Sequence, residues 1–318
     1  MDITKDEYME NTLIARYKPA DTAKKTEIQK IVESCQTRRR IIQKILFIMF
    51  RGAALINGLA LAVIVFFMIK NGWKAITWEF LSQVPTDSMT KGGILPCIIG
   101  TLYLGIGAIA FALPIGVGSA IYLNEYASRG RFLRFIRLCI NNLAGVPSVV
   151  FGLFGLAFFV IWLKMGVSIL AGALTLGAMT LPVIIGSTEE ALKSVPDTFR
   201  EASLGLGATK WQTIYRVVLP SALPGILTGA ILGISRAAGE TAPVMFTAAV
   251  FYTPDLPTSI FNEIMVLPYH IYVLATAGTN IEATRHLQYG TALVLIVLVM
   301  SMNMTAIIWR SRLRKKLQ

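Results

Sequence analysis

The sequence has little of what metal proteins, disulfide-rich proteins and nucleotide-binding enzymes are built from. It holds three cysteines and two histidines in 318 residues, and Cys35, Cys97 and Cys139 stand at no metal-ligand or disulfide spacing. Charged residues make up only 15% of the chain. The nucleotide-binding pattern Gly-x-x-x-x-Gly-Lys-[Ser/Thr] does not occur in it. We therefore expect no metal site, no cofactor and no catalytic centre on this chain.

What the chain has instead is long apolar runs. Hydrophobic residues make up 54% of it, mean hydropathy is +0.61, and several runs exceed the ~20 residues that cross a bilayer. The sequence predicts an all-α polytopic membrane protein with six transmembrane helices. We expect these helices at residues 45–69, 94–123, 146–163, 167–186, 223–250 and 290–309.

The segment before the first run, residues 1–44, is polar and too charged for a cleavable signal peptide. We interpret it as a basic tail that fixes topology; an amphipathic helix on the membrane lipid, around residues 26–46, is the alternative. We expect the rest of the chain to form three regions. These are the first transmembrane helix with an outer loop (45–93), the main transmembrane domain (94–310) and a basic C-terminus (311–318).

The positive charges, which give a net +12, fall mostly on alternate loops rather than evenly along the chain. Arginine and lysine are concentrated in the tail, after the second run, between the fourth and fifth runs, and at the C-terminus. Cytoplasmic loops carry such an excess in membrane proteins. The pattern predicts a multi-pass protein with both termini in the cytoplasm, and it gives no reason to expect a nucleic acid partner.

A polar, glycine-broken segment, residues 201–220, separates the fourth and fifth runs. Together with the residues just before it, it predicts two short helices joined by a tight turn. We expect Asp197 to cap the first helix and Gly207 to end it, where a left-handed backbone is cheap without a Cβ. Thr209, with Gln212 three residues on, has the spacing of a capping box for the second helix, and Pro220 is expected to close that helix.

The two short helices each have an apolar side. These sides comprise Phe199 and Leu204 on the first helix, and Trp211, Ile214, Tyr215 and Val218 on the second. A helix–turn–helix held between membrane spans is suited to dock into a groove on another protein. The alternative is an ordinary amphipathic loop.

The same segment resembles the cytoplasmic loop signature of ABC importer permeases. The matching residues are Glu201-Ala202-Ser203, Gly207 and Val217-Val218-Leu219-Pro220, where Ser203 and Val217 depart mildly from the Ala and Ile of the pattern. The resemblance implies a type I importer permease fold, in which this loop, spanning 187–220, lies in a cleft of the ATP-hydrolysing subunit. It assigns the ATPase-coupling role to Glu201, Ala202, Gly207, Leu219 and Pro220.

The fifth run carries two opposite charges, Arg236 and Glu240, which are four residues apart and therefore on one helix face. At ~1.5 Å per residue, Arg236 lies ~24 Å along a helix from Pro220, deep in the bilayer. Such groups mark ion pathways in many membrane proteins. Arg236 would attract a passing anion, Glu240 would orient the guanidinium, and Gly239 and Pro243 would let the helix bend. A structural ion pair is the alternative.

Residues 235–248 are similar to the signature of phosphate ABC transporter permeases, of the PstA type. Residues 141–148 and 189–196 look like the same subunit. The resemblance implies a translocation path that includes Arg236, Glu240, Thr241 and Pro243. It also implies an inner-membrane heterodimer with a second, related permease, two cytoplasmic subunits that bind ATP and Mg²⁺, and an extracytoplasmic phosphate-binding protein.

Two other functions stay open at this point. An ABC permease for another oxyanion, such as sulfate, molybdate or tungstate, differs from the leading hypothesis only in its substrate. An ion-coupled secondary anion transporter could use Arg236 and Glu240 for proton coupling, but it would have no reason to carry the loop signature.

Overall fold

The computed structural model describes residues 22–86, 89, 91–128, 130–277 and 281–317; the start of the predicted tail lies outside them. The helices run, in order, α1 Thr22–Gly72, α2 Trp78–Ser82, α3 Leu95–Ile121, α4 Arg131–Ala144, α5 Ser148–Gly155, α6 Ile169–Lys193, α7 Asp197–Gly205, α8 Lys210–Thr213, α9 Leu219–Gly239, α10 Ala242–Thr247, α11 Leu267–Thr276 and α12 Ile281–Leu317. Three wider π-helical segments, Tyr122–Tyr126, Leu156–Trp162 and Ile214–Val218, continue α3, α5 and α8. A short 3₁₀ turn, Trp73–Ala75, follows α1, and two antiparallel strands, β1 Pro85–Thr86 and β2 Lys91–Gly92, precede α3.

The chain divides into two compact units, Met1–Phe66 and Phe67–Gln318. In the first unit the described residues belong to one helix, α1, so the region predicted either as a tail or as a surface helix is helical from Thr22 onward. Large apolar side chains such as Phe47, Ile56 and Leu59 are exposed on it. Exposure of this kind suits a helix that faces lipid.

Among the residues that the structure describes, five helices are long and apolar enough to cross a membrane. They are Ile42–Ala75, Leu95–Tyr126, Ile169–Lys193, Lys210–Gly239 and Thr284–Leu313. A sixth crossing is present if Arg131–Ala144 and Ser148–Trp162, which meet at a bend of 100°, count as one span. The predicted all-α fold with six spans therefore agrees with the larger count.

The third span differs from its predicted range of 146–163. Its helix begins at Ser148, because Pro147 holds an extended backbone with ψ 141° and ends the preceding segment. Before the bend lies α4, a helix that the sequence analysis did not predict. Leu133 is buried on α4 while Phe132 and Phe135 are exposed, so this helix has two distinct faces.

The fifth span was predicted to run to residue 250, and that prediction is wrong. Helix α9 ends at Gly239, Glu240 is extended with ψ 130°, and a new helix, α10, starts at Ala242. Pro243 explains the break, since it lacks the N–H that a continuous helix would need there. It occupies the first turn of α10 instead, where a missing donor costs little.

Helices α3 and α6 form the centre of the second unit and approach each other closely. A Cβ placed on Gly116 of α3 would lie 2.6 Å from Ile184 Cγ2 of α6, and one on Gly177 of α6 would lie 2.6 Å from Phe111 Cδ1 of α3. Small residues at such contacts let helix backbones pack tightly in a membrane, where no water-driven force holds helices together.

We predict that Gly116→Leu lowers the free energy of unfolding by about 1–3 kcal/mol, because the added side chain cannot fit against α6. Gly118→Leu is the matched control: it lies on the same helix, and a Cβ there meets nothing within 4 Å. Thermal unfolding of the two purified variants in detergent compares them. Equal melting temperatures would contradict the assigned α3–α6 contact.

Candidate functional site

The segment between α6 and α9 forms a helical knob, defined here as residues 197–218. Its first helix, α7, begins at Asp197, and the N-cap position is Pro196, so the prediction that Asp197 caps this helix is wrong. Pro196 has an extended backbone, with ψ 140°, and therefore lies just outside the helix. Asp197 becomes the first helical residue, where its carboxylate accepts a hydrogen bond from Arg200 Nη1 at 3.1 Å and complements the helix dipole.

The turn that ends α7 depends on Gly207. Its φ is +84°, and its N–H donates to Leu204 O at 2.9 Å while Ala208 N–H donates to Ser203 O at 3.2 Å. These two bonds make a Schellman motif, which needs a left-handed residue at this position. The predicted role of Gly207 as the residue that ends the first helix is confirmed.

The second helix of the knob starts with the predicted capping box. Gln212 N–H donates to Thr209 Oγ1 at 3.3 Å, and Thr209 N–H donates to Gln212 Oε1 at 2.9 Å. The hydroxyls of Ser203 and Thr213 lie 3.0 Å apart and join the two helices of the knob. Ser203, a departure from the family pattern, therefore has a specific contact here.

The prediction that Pro220 closes the second helix is wrong. Lys210–Gly239 is one long helical run, in which the π segment Ile214–Val218 leads directly into α9. The wider turn restarts the regular helix at Leu219, which places Pro220 in a first turn, where its missing N–H is tolerated.

The knob has an exposed apolar surface, which we call the knob surface. It consists of Phe199, Leu204, Leu206, Trp211 and Tyr215, with Leu206 90% exposed. The rings of Trp211 and Tyr215 stack with centroids 6.3 Å apart. Ile214 and Val218 were expected on the same side from their spacing, but both are buried.

The family-signature residues of this segment fall into two groups. Glu201, Ala202 and Gly207 are exposed on the knob, next to the knob surface. Leu219 and Pro220 are half-buried at the start of α9. The structure thus separates them into an outward-facing set and a set at the base of the following span.

Arg200 and Glu125, whose pairing the sequence did not predict, form the most enclosed ion pair of the knob. Arg200 Nη2 lies 2.9 Å from Glu125 Oε1, and their side chains are 17% and 9% exposed. No sequence spacing connects two residues 75 positions apart. Glu125 stands just after the second apolar run, but Arg200 lies well inside a polar segment, so no local signal links them.

The second candidate region is the Arg236–Glu240 pair. The two groups are brought together as predicted, with Arg236 Nε 3.6 Å from Glu240 Oε1, and their side chains are 37% and 20% exposed. At this separation they form an ion pair without a hydrogen bond. Because α9 ends at Gly239, Arg236 lies in the last helical turn, where a positive charge is favoured by the helix dipole.

The other predicted path residues lie around the break. Thr241 is half-buried between α9 and α10. Pro243 is buried against α5, where a Cβ on Gly152 would lie 2.9 Å from Pro243 Cα. Ser235 Oγ, one residue before Arg236, is hydrogen-bonded to Asn303 Oδ1 at 2.5 Å and fixes this end of α9 against α12.

The histidines contribute no clustered chemistry. His270 is buried in α11, and burial lowers its pKa to about 4, so the ring is neutral near pH 7. His286 is exposed on α12. Among the described residues no group of three or more His, Cys, Asp or Glu side chains could hold a metal ion.

Comparison with known proteins places this arrangement in a family. The family model described as "binding-protein-dependent transport system inner membrane component" matches residues 112–318. The chain belongs to this family. The permease is 37% identical over 275 residues to the phosphate transport system permease protein PstA 1 of Mycobacterium tuberculosis strain H37Rv, covering 85% of this chain and 87% of that one. It is 35% identical over 280 residues to the probable ABC transporter permease protein YqgI of Bacillus subtilis, covering 84% and 95%.

Solved structures of importers share the fold of the permease. An inward-facing structure of the MetNI methionine ABC transporter matches with a TM-score of 0.58 at 19% identity, covering 69% of this chain and 95% of that one. A bacterial ABC transporter for the acidic polysaccharide alginate matches with a TM-score of 0.54 at 15% identity, covering 84% and 98%. The permease is therefore a multi-pass membrane protein with the fold of ABC importer permeases.

We predict that Gly207→Ala destabilises the knob by about 1–2 kcal/mol, because a Cβ is strained at φ +84°. Gly205→Ala is the matched control: it lies two residues away in α7, meets nothing within 4 Å and should stabilise the helix by about 0.5–1 kcal/mol. Amide hydrogen exchange across residues 203–213 measures both changes. Equal exchange rates in the two variants would contradict the turn geometry.

Proposed function

We propose that the permease is a subunit of an ATP-driven phosphate importer. It forms half of the translocation path with a second, related permease, and two cytoplasmic ATP-binding subunits drive it. Phosphate is proposed as the substrate because the chain is similar to phosphate transport permeases named PstA. The identity is 32–37% over most of the chain. ATP and Mg²⁺ are bound by the partner ATPase, since this sequence has no phosphate-binding loop.

The knob surface supports the coupling role. Phe199, Leu206, Trp211 and Tyr215 are apolar side chains that face away from the protein on a compact, doubly capped turn. Exposed apolar clusters of this kind mark protein–protein contacts, and aromatic residues are enriched in their centres. The knob surface is suited to bind in a groove of an ATP-binding subunit.

Charge distribution supports an orientation with the knob and both termini in the cytoplasm of a cell with an inner membrane. Lys193, Arg200, Lys210 and Arg216 lie in or beside the knob, on the side where positive residues accumulate. The opposite side would then receive the extracytoplasmic phosphate-binding protein. In the alginate transporter a solved complex contains an alginate-bound periplasmic protein.

Arg236 supports the transport of an anion. Among the described residues its guanidinium donates no hydrogen bond, and its ion pair to Glu240 at 3.6 Å leaves donors available. A charged group in a membrane span is costly and is retained mainly where it serves a path or a partner. Glu240 would keep the site from holding phosphate too tightly for release.

We predict that cells lacking this gene lose uptake of labelled phosphate at low external phosphate, and that restoring the gene restores the uptake. ATP depletion should abolish the restored uptake because hydrolysis in the partner drives it. Excess sulfate and molybdate should leave it unchanged. Uptake that competes with sulfate or molybdate would move the substrate to another oxyanion, and uptake that survives ATP depletion would contradict an ATP-driven importer.

We predict that Arg236→Gln lowers the phosphate uptake rate by at least about tenfold, the effect of ~1.4 kcal/mol on a barrier, with the complex still assembled. Arg236→Lys is the matched variant, since it keeps the positive charge and should retain more uptake. Uptake and co-purification of the ATP-binding subunits are measured on the same membranes. Loss of assembly in Arg236→Gln would instead assign the pair a structural role.

A further inference from the structure

The inner end of α3 contacts both helices of the knob through one π segment, Tyr122–Tyr126. Glu125 of this segment pairs with Arg200 of α7, and the ring of Tyr126 lies under Lys210 of α8. Glu125 and Tyr126 are therefore adjacent residues that contact different helices of the knob, α7 and α8.

The first contact is built around Arg200. Its Nη2 donates to Glu125 Oε1 and to Leu192 O, both at 2.9 Å, and its Nη1 donates to Val195 O at 2.8 Å. The guanidinium therefore joins the end of α3, the end of α6 and the start of the knob. Arginine suits this position because its rigid fork offers several donors in fixed directions.

Glu125 is held from its own side as well. Asn124 Nδ2 donates to Glu125 Oε1 at 2.9 Å, so the carboxylate is oriented before it meets Arg200. The pair is mostly enclosed, with side chains 9% and 17% exposed. Screening by water and salt is weak at such a site, and a charge-assisted bond there holds its geometry.

The second contact is a cation–π pair. Lys210 Nζ lies 5.0 Å from the centroid of the Tyr126 ring. A cation within about 6 Å of an aromatic face is attracted by the ring quadrupole. Lys210 is exposed and Tyr126 is 44% exposed, so this contact is the weaker of the two.

We propose that these two contacts form a tether through which movement of the knob is transmitted to α3. The knob is joined by the chain itself to α6 and α9, but α3 has no such covalent link to it. A π segment departs from regular helix geometry and is often found at functional sites. Because α3 packs closely on α6, a displacement of its end would alter the centre of the second unit. Arg200, Glu125 and Tyr126 are thus positioning residues that act through the knob.

This inference rests on the proposed function, in which an ATP-binding subunit moves the knob. The test uses the complete complex in vesicles: both permeases, the ATP-binding subunits and the phosphate-binding protein. It measures phosphate transported per ATP hydrolysed. Glu125→Gln removes the ion pair while keeping an acceptor for Arg200 and leaving the Leu192 and Val195 carbonyl bonds in place.

We expect Glu125→Gln to lower the transport-to-hydrolysis ratio by about fivefold or more, the lower end of typical coupling free energies. Asp197→Asn is the matched control: Asp197 also pairs with Arg200, at 3.1 Å, but it lies on the same helix and is 87% exposed. The Asp197–Arg200 pair cannot transmit movement to α3. The transport-to-hydrolysis ratio of Asp197→Asn should therefore equal that of the unaltered complex. Tyr126→Leu should lower the ratio less, and the double variant more than either.

Three results would overturn the tether. They are an unchanged ratio in Glu125→Gln, an equal fall in Asp197→Asn, and loss of the assembled complex in Glu125→Gln, which would show that the pair only holds the fold. The unaltered complex keeps the two proposals distinct. If it moved no phosphate, the proposed function would fail, whereas a working complex with an unaltered Glu125→Gln ratio would refute the tether alone.

Discussion

The close approach of α3 and α6 is the constraint on which the rest of the second unit depends. Gly116 and Gly177 allow it, since a side chain at either position would meet Ile184 or Phe111. The knob emerges directly from the end of α6, and the π segment that contacts the knob continues α3. A looser pair of helices would displace these two ends relative to each other and so disrupt the contacts between them.

From that centre the chain presents two chemically different regions at the two ends of α9. The knob at its start is capped, turned by Gly207 and apolar on its exposed surface. The break at its end places Arg236 in a final turn beside an extended Glu240. A single helical run, Lys210–Gly239, joins them. In the proposed function, this helical run connects the docking surface to the charged residues of the anion path.

The sequence correctly predicted part of the local chemistry, but not the Asp197 cap, and it missed what depends on packing. Apolar runs indicated the spans, and the Gly207 turn and the Thr209 capping box follow from residue type and spacing. The closing role given to Pro220 failed, because a π segment restarts the helix before it. The pairing of Arg200 with Glu125 joins parts of the chain that only the packing of α3 beside the knob brings together.

Photo-cross-linking from position 206 is the most direct test of whether the knob surface docks on an ATP-binding subunit. Leu206 is the most exposed apolar residue of the knob surface, and replacing it with a photoreactive amino acid leaves both caps of the turn in place. Position 256, in the segment between α10 and α11, serves as the comparison because Leu256 is also exposed. We predict an adduct with an ATP-binding subunit from position 206 and none from 256, because the knob surface forms the docking contact. An adduct from 256, or none from 206 in a complex that transports phosphate, would contradict it.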